Sequence, residues 1–233
     1  MATYLALCQK LRQNCSDSGT GPSAVAGQSG ELKRYVDWVA DAWTAIQNDN
    51  EFWKWMRKSC YCDTVAADGA YAYTDFTDTV SLAAIARFSR WYTGRNQFKC
   101  YLSSGGVAGE YFLQWMEWED FKFIYRKGTQ TDGQPVHYSV DPTQAIVLGP
   151  IPSAVYRVSG DYQIGPQTLS ADGDIPEMPT RFHDLIVYEA MAKYGGNRVA
   201  VEAMVRANAE GTPLRAALEL DQLPRMRLGR ALV

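Results

Sequence analysis

The sequence contains no uninterrupted run of about 18 apolar residues, which is roughly the length needed to cross a bilayer. Its longest apolar-rich stretches, residues 82–86 and 185–192, are much shorter. The first residues, Met-Ala-Thr-Tyr, also lack the basic and apolar segments of a signal peptide. We therefore expect no membrane partner and a chain that folds in a cytoplasmic setting.

An excess of one charge sign is also missing, and histidine is scarce. The 26 Asp and Glu residues nearly balance the 23 Lys and Arg residues, so the formal net charge is −3. This balance is not typical of a protein that binds polyanions over its whole surface. The two histidines, His137 and His183, are accompanied by no G-x-S-x-G motif. We interpret both as packing or capping residues, and the sequence predicts no enzyme.

Motifs that hold metals or nucleotides are incomplete. Among the five cysteines, Cys60 and Cys62 form a C-x-C pair, but no second close pair follows. Asp172 and Asp174 begin like a calcium loop, without its later glycine and glutamate. The glycine-rich run 14–31, NCSDSGTGPSAVAGQSGE, lacks the lysine of a phosphate-binding loop and the third glycine of a dinucleotide fingerprint. We therefore expect no cofactor, no metal and reduced, mostly buried thiols.

Aromatic residues, in contrast, are abundant. The chain has seven Trp and 14 Tyr among 233 residues, and 46% of its residues are hydrophobic. This length suits one domain, or a core with an inserted subdomain. Large aromatic side chains are favoured in protein cores and in permanent interfaces.

Hydrophobic periodicity predicts helices at both ends of the chain. A stripe with helical spacing predicts a helix over 30–48, capped by Ser29. Its members are Leu32, Tyr35, Val36, Val39, Ala42, Trp43 and Ile46. A shorter helix is predicted over 3–14. Near the C-terminus we predict helices from Thr180 to Tyr194, over 198–209, and from Pro213 to Asp221, separated by Gly195-Gly196 and by Gly211.

The middle of the chain predicts β-structure, with short alternating runs bounded by Gly, Pro and Asp. Segment 110–126 is an exception, for which we predict a helix. The fold class is therefore α+β, with N- and C-terminal helices forming a helical bundle and a β-rich inserted subdomain. The predicted ranges are 1–58 for the N-terminal helices, 59–175 for the insertion, 176–221 for the C-terminal helices and 222–233 for an extended C-terminal arm.

Carboxylates beside aromatic side chains leave a second interpretation open. Glu117 and Glu119 lie close to Trp115 and Trp118, and Glu110 and Asp120 belong to the same segment. Such a group could bind a glycan, or hydrolyse one with a pair of carboxylates. The simpler interpretation is a solvated helix face beside packing aromatics.

Four stretches in residues 18–57 and 169–195 are distinctive, and they read GPSAV, GQSGE, DWVADAWTAIQ and IPEMPTRFHDLIVYEA. They are the strongest parts of a match through most of the chain, which resembles tailed-phage head-to-tail connector proteins, the adaptors that bind the portal. It implies a structural virion protein, assembled in the host cytoplasm, that forms a ring in the neck between capsid and tail. Such rings usually have twelve copies. They bind the portal and a tail or nozzle protein, and DNA passes through them without sequence-specific binding during genome ejection.

The resemblance also implies which residues make these contacts. The glycine-rich run would line the interface between subunits, through Gly19, Gly21, Pro22 and Gly27. The C-terminal arm would bind the portal, and its candidate residues are Arg225, Met226, Arg227, Leu228, Arg230 and Leu232. The alternatives are a virion-associated glycan-binding or glycan-hydrolysing module and another neck or tail completion protein.

Overall fold

The computed structural model describes residues 2–224, and within that range the chain is a mixed α+β protein, in agreement with the predicted class. Its five α-helices are α1 (Tyr4–Asn14), α2 (Gly30–Asp49), α3 (Trp118–Tyr125), α4 (His183–Arg198) and α5 (Val201–Gln222). The strands are β1 (Arg57–Asp63), β2 (Ala70–Tyr71), β3 (Thr77–Asp78), β4 (Phe88–Trp91), β5 (Lys99–Leu102), β6 (Tyr111–Phe112), β7 (Gln114–Trp115), β8 (His137–Val140), β9 (Ile146–Gly149) and β10 (Tyr156–Ile164).

The chain divides into two compact units. Residues 2–56 and 166–224 form the first, which we call the helical unit because it holds α1, α2, α4 and α5. Residues 57–165 form the second, which we call the β unit because it holds the ten strands together with α3.

The core of the helical unit lies around α4, which contacts α1, α2 and α5. The stripe predicted for α2 is buried at Tyr35, Val39 and Trp43, so the predicted helix over 30–48 is confirmed. Ser29 is at the N-cap position, but its side chain makes no capping hydrogen bond. Among the described residues, no helix combines the length and apolarity that a bilayer crossing requires.

The predicted ends of the C-terminal helices are wrong at two places. Helix α4 continues through Gly195 and Gly196 to Arg198, and Val199 ends it in the left-handed conformation, with φ 55°. Helix α5 continues through Gly211 and Pro213 to Gln222. Proline removes one hydrogen bond inside a helix. Pro213 lies on the exposed side of α5, so water can reach the backbone carbonyl that this proline leaves unpaired.

The β unit contains two sheets. The larger has the order β3-β1-β10-β5-β6, with β4 also paired to β10, and its pairs are antiparallel. The long strand β10 is its centre. The smaller sheet has the order β2-β9-β8-β7, in which β7 and β8 are parallel.

The helix predicted over 110–126 is wrong in its first half. The chain there forms β6 and β7, and α3 begins only at Trp118. The backbone N–H of Leu113 donates to the carbonyl of Phe98 in the larger sheet, and that of Gln114 donates to the carbonyl of Val136 beside the smaller one. These distant partners stabilise an extended conformation that bridges the two sheets.

Candidate functional site

The glycine-rich run forms a loop between α1 and α2, residues 15–29, which we call the glycine loop. Gly19, Gly21 and Gly27 all have positive φ, at 96°, 95° and 70°. Gly21 also passes close to α1, because a Cβ atom at this position would lie 3.0 Å from the Cα of Gln9. The glycines therefore permit a path over α1 that other residues would strain.

Side chains of α1 hold the glycine loop against the helical unit. The Nε2 of Gln9 donates to the carbonyl of Pro22 at 3.0 Å, and the Nε of Arg12 donates to the carbonyl of Ser18 at 3.0 Å. Pro22 and Val25 are buried. Two backbone carbonyls of the loop accept hydrogen bonds from α1, and two of its side chains are buried. The loop therefore has a defined conformation on the surface of the helical unit.

Asp17 fastens the start of the glycine loop to two tyrosines. The hydroxyl of Tyr35 donates to the Asp17 carboxylate, and the hydroxyl of Tyr194 does so at 3.3 Å. The two tyrosine rings stack with centroids 6.1 Å apart. Burial raises the pKa of both hydroxyls, and the neighbouring carboxylate raises it further. Both tyrosines therefore stay protonated and serve as hydrogen-bond donors.

The Asp172-Gly173-Asp174 turn supports the other end of the glycine loop. Oδ1 of Asp172 accepts a hydrogen bond from the backbone N–H of Val25 at 2.6 Å. Oδ2 of Asp174 accepts from the N–H groups of Ser170 and Ala171 at 2.6 and 2.8 Å. The two carboxylates therefore stabilise the backbone of the glycine loop and of the turn itself. Within residues 2–224, no three His, Cys, Asp or Glu side chains are grouped as metal ligands.

The glycine loop presents mainly small side chains to solvent, including Ser23 and Ala26. An apolar corner adjoins it where α4 meets α5. There Val199 is 81% exposed, and Val201 and Val205 are also exposed. Sequence reasoning missed this corner, although the i, i+4 spacing of Val201 and Val205 is a signal for an apolar helix face.

Two polar contacts link the corner to the residues that flank the loop. Nη1 of Arg206 in α5 donates to the carbonyl of Asn14, which directly precedes the loop, at 3.4 Å. Arg198 at the end of α4 forms an ion pair with Glu31 at the start of α2. These contacts place the valine corner near both ends of the loop, and we call the loop and the corner together the loop surface.

The predicted site residues have different positions relative to the loop surface. Gly19 and Gly27 are exposed on it, and Gly21 is partly exposed. Pro22 is buried against its own unit, so it shapes the loop from below. The residues predicted to bind the portal, Arg225, Met226, Arg227, Leu228, Arg230 and Leu232, lie outside the described residues.

The carboxylates of the glycan hypothesis are spread over separate contacts. Glu119 is paired with Lys122 at 2.6 Å, and Glu110 is paired with Lys99 at 3.2 Å. Glu117 accepts a hydrogen bond from the indole of Trp115 at 3.4 Å. A cavity of about 530 Å³ lies beside Trp115, and its lining contains none of these carboxylates. This arrangement does not place two carboxylates across a cleft, as glycoside hydrolysis requires.

The histidines and cysteines are held by packing. Nε2 of the buried His183 is 3.1 Å from the carbonyl of Met178, and Nδ1 of His137 is 2.7 Å from the hydroxyl of Tyr125. Burial raises the pKa of Cys8 to about 12 and that of Cys100 to about 11. The cysteines Cys8, Cys15, Cys60, Cys62 and Cys100 are all free thiols, and all but Cys15 are buried. The expected buried thiols are therefore confirmed for four of the five.

Comparison with protein families finds one match over nearly the whole chain. The family model is described as SU10 adaptor protein, and it matches residues 2–230. The comparison with curated proteins finds no match.

Proposed function

Because this chain belongs to the SU10 adaptor protein family, a family of structural head–tail adaptors of phage particles, we propose that it forms a ring in the neck between portal and tail. The observation that carries the proposal is the family match, which extends over both units of the chain. In this role the protein supplies the platform for tail attachment and a channel through which DNA leaves the capsid.

A ring requires two different surfaces on each subunit, one for each neighbour, because head-to-tail contacts close on themselves. We assign the loop surface to one of these contacts. It combines small side chains, which allow a neighbour to approach closely, with exposed valines that gain stability on burial. A bundle of the terminal helices would build the ring wall, and the β unit would be its insertion. The resemblance to connectors implies about twelve copies.

A bulky side chain on the glycine loop is expected to block this contact. Ala26 is exposed, so Ala26→Trp leaves the fold of the isolated subunit intact but obstructs a close neighbour. We expect incorporation into phage particles to fall at least about tenfold, which corresponds to roughly 1.4 kcal/mol of contact energy. The measurement is the amount of chain that sediments with particles made without the native copy.

Ala45→Trp is the matched control for Ala26→Trp, because Ala45 is an exposed alanine of α2, away from the glycine loop. Circular dichroism and thermal unfolding of both variants report on folding. Equal incorporation of the two variants would show that the loop surface is not part of the ring contact.

The C-terminal arm is our candidate for portal binding. Residues 225–233 carry three arginines and no acidic residue, interleaved with Met226, Leu228 and Leu232. This composition suits an acidic, partly apolar groove on a partner. DNA in the channel would meet too few of these arginines for tight binding, so it passes without sequence-specific contacts.

Deletion of residues 225–233 is therefore expected to weaken binding to the purified portal of the same phage by at least about tenfold. Replacing Arg225, Arg227 and Arg230 by alanine should reduce both the affinity and its salt dependence, because screened charge pairs are lost. Sedimentation with portal at low and high salt measures both effects. Thermal unfolding of the same chains reports on folding, and the deletion leaves α5 whole because this helix ends at Gln222.

Unchanged portal binding by the truncated chain would exclude the arm as the portal contact. A density map of the particle neck tests the broader proposal. The chain should lie next to the portal, whereas a position at the tail tip or along the tail would indicate a tail completion protein.

A further inference from the structure

Helix α5 has two apolar faces, and the structure covers one of them. The face against α4 is buried at Ala203, Ala207, Gly211 and Leu218. The opposite side of the helix carries a second row, apolar except for one threonine, which we call the outer face of α5. Its members repeat every three or four residues, as on any apolar helix face. They are Val201, Val205, Ala209, Thr212, Ala216 and Leu220.

The outer face is exposed from one end of α5 to the other. Val205 is 63% exposed, Leu220 is 72% exposed, and the other members are exposed as well. In a helix that packs on one neighbour, the side away from that neighbour is normally polar. Apolar side chains gain stability when they are buried. The outer face therefore indicates a contact that residues 2–224 do not make.

The charges around the outer face favour a cationic occupant. In the described chain, Glu202, Glu210 and Glu219 of α5 have no cationic partner. The arginines of the helix, Arg206 and Arg215, are bound to acceptors elsewhere in the helical unit. Helix α5 thus combines an apolar row with negative charge that residues 2–224 leave unpaired.

The outer face also offers a backbone acceptor. Proline has no N–H group, so Pro213 cannot donate to the carbonyl of Ala209, four residues before it in α5. Ala209 is exposed, so a donor from outside the helix can reach this oxygen. An occupant with apolar side chains and cationic N–H donors therefore fits the outer face best.

The C-terminal arm, residues 225–233, has this composition and begins beside the outer face. It carries three arginines and no acidic residue, and only Leu223 and Pro224 separate it from the end of α5. Nine extended residues reach about 30 Å, and the outer face is about 29 Å long. Attachment to the same helix gives the arm an effective concentration on the order of millimolar, which favours it over a free partner.

We propose that in the free chain the arm folds back and covers the outer face of its own α5. Val201 and Val205 belong both to the outer face and to the loop surface, so the folded-back arm hides part of the ring contact. A portal that binds the arm shifts the chain toward the uncovered state. The release step rests on the proposed function, and it makes the ring contact available where the portal is present.

The spacing of the arm residues specifies a register. Met226, Leu228 and Leu232 are separated by even numbers of residues, so an extended arm has them on one side. With about 3.3 Å per arm residue and 1.5 Å per helix residue, Met226 comes roughly level with Ala216 and Leu232 with Val205. Met226 and Ala216 are therefore the pair to test.

Disulfide crosslinking in the purified full-length chain tests the position of the arm. One double variant carries Met226→Cys with Ala216→Cys, and its matched control carries Met226→Cys with Ala217→Cys. Both alanines are exposed on α5 and have nearly the same tether to residue 226. Their side chains point about 100° apart around the helix, so Ala217 lies beside the outer face and not on it.

Peptide mass spectrometry after mild oxidation measures each disulfide and distinguishes it from any disulfide of the five native cysteines. The yields are normalised to those in denaturing urea, where only the tether brings the thiols together. We expect the pair with Ala216→Cys to crosslink at least about fivefold more than the control pair. Equal normalised yields would overturn the proposal. Disulfides between two chains would also overturn it, because the arm would then cover a neighbouring copy.

Purified portal separates this inference from the proposed function. Portal should lower the yield of the pair with Ala216→Cys at least about fivefold, because it takes the arm away from α5. If the chain sediments with portal and the yield is unchanged, the release step is wrong and the proposed function stands. If the unaltered chain does not sediment with portal, the proposed function is contradicted, and the yield in the free chain still decides where the arm lies.

The unpaired carboxylates give an independent measurement. Replacing Glu202, Glu210 and Glu219 by glutamine should lower the yield of the pair with Ala216→Cys roughly two- to threefold, since exposed ion pairs contribute modestly. High salt should lower the yield of the same pair without these replacements, because it screens the charges. A yield that neither change affects would contradict the contribution of charge to the arm contact.

Discussion

Gly195→Ala is expected to destabilise the helical unit by about 2–3 kcal/mol, whereas Gly196→Ala is expected to stabilise it by about 0.5–1 kcal/mol. The two glycines are neighbours in α4, yet their surroundings differ. A Cβ atom on Gly195 would overlap with Cγ of Met204 and lie 3.1 Å from the carbonyl oxygen of Ala200. A Cβ atom on Gly196 would meet nothing within 4 Å.

The two stability changes have opposite signs because the helix preference of alanine is opposed by steric overlap at Gly195 only. Alanine is favoured over glycine inside a helix because the unfolded glycine chain has more conformational freedom to lose. At Gly196 this gain acts alone. At Gly195 the added methyl group must push α5 away from α4, and the contact between these helices is part of the core of the unit. Urea denaturation of the three proteins measures the difference. Similar changes at both positions would show that α5 shifts without cost.

Asp78→Ala is expected to destabilise the β unit by about 2–4 kcal/mol. The substitution removes the acceptor for the N–H groups of Val80 and Ser81 and for the hydroxyl of Tyr162, which lies 3.0 Å from Oδ2. Tyr162 is buried, so its hydroxyl would lose a partner away from water. Asp141→Ala is the matched control, because Asp141 also accepts from turn N–H groups but is less buried. We expect about 1 kcal/mol there.

The pH dependence of stability provides a second signature of Asp78. Burial alone would raise the pKa of this carboxyl, but hydrogen bonds from the Ser81 backbone, the Tyr162 hydroxyl and the Val80 backbone outweigh it and lower the pKa. A carboxyl with a lower pKa in the folded state stabilises the fold above its unfolded pKa, about 3.9. This stabilisation is lost as the pH falls from there toward the folded value.

Asp78→Asn isolates that contribution, since the amide can still accept a hydrogen bond but does not titrate in this range. The unaltered protein should lose stability more steeply than the variant below about pH 4. Parallel curves for the two proteins between pH 5 and pH 2 would contradict the assigned role of Asp78.

The local features of the fold could be predicted from sequence where neighbouring residues decide the structure. The α2 stripe has one buried face, and residues within four positions of each other determine it. The path of the glycine loop also depends on local chemistry, because Gly19, Gly21 and Gly27 tolerate a conformation that other residues resist, and all three have positive φ. The two segments that resemble phage connectors led to an adaptor family, which the family match supports.

Distant partners decided what sequence reasoning missed. Local pattern suggested that α4 ends at Gly195, but Gly195 is needed inside the helix because Met204 of α5 packs against it. Local pattern also suggested a helix at Leu113, but hydrogen bonding to Phe98 extends the chain there. Such contacts join positions that no short window of sequence contains.

The sequence alone therefore determined the α+β class, the periodic helix faces, the glycine loop and the family resemblance, because each depends on residues that are close together in the chain. Only the tertiary structure decided which side of Pro22 faces its own unit, where the valine corner meets the loop, and that β3 and β6 lie at opposite edges of one sheet. The physical reason is that strand order and helix contacts depend on the pairing of backbone and side chains far apart in sequence.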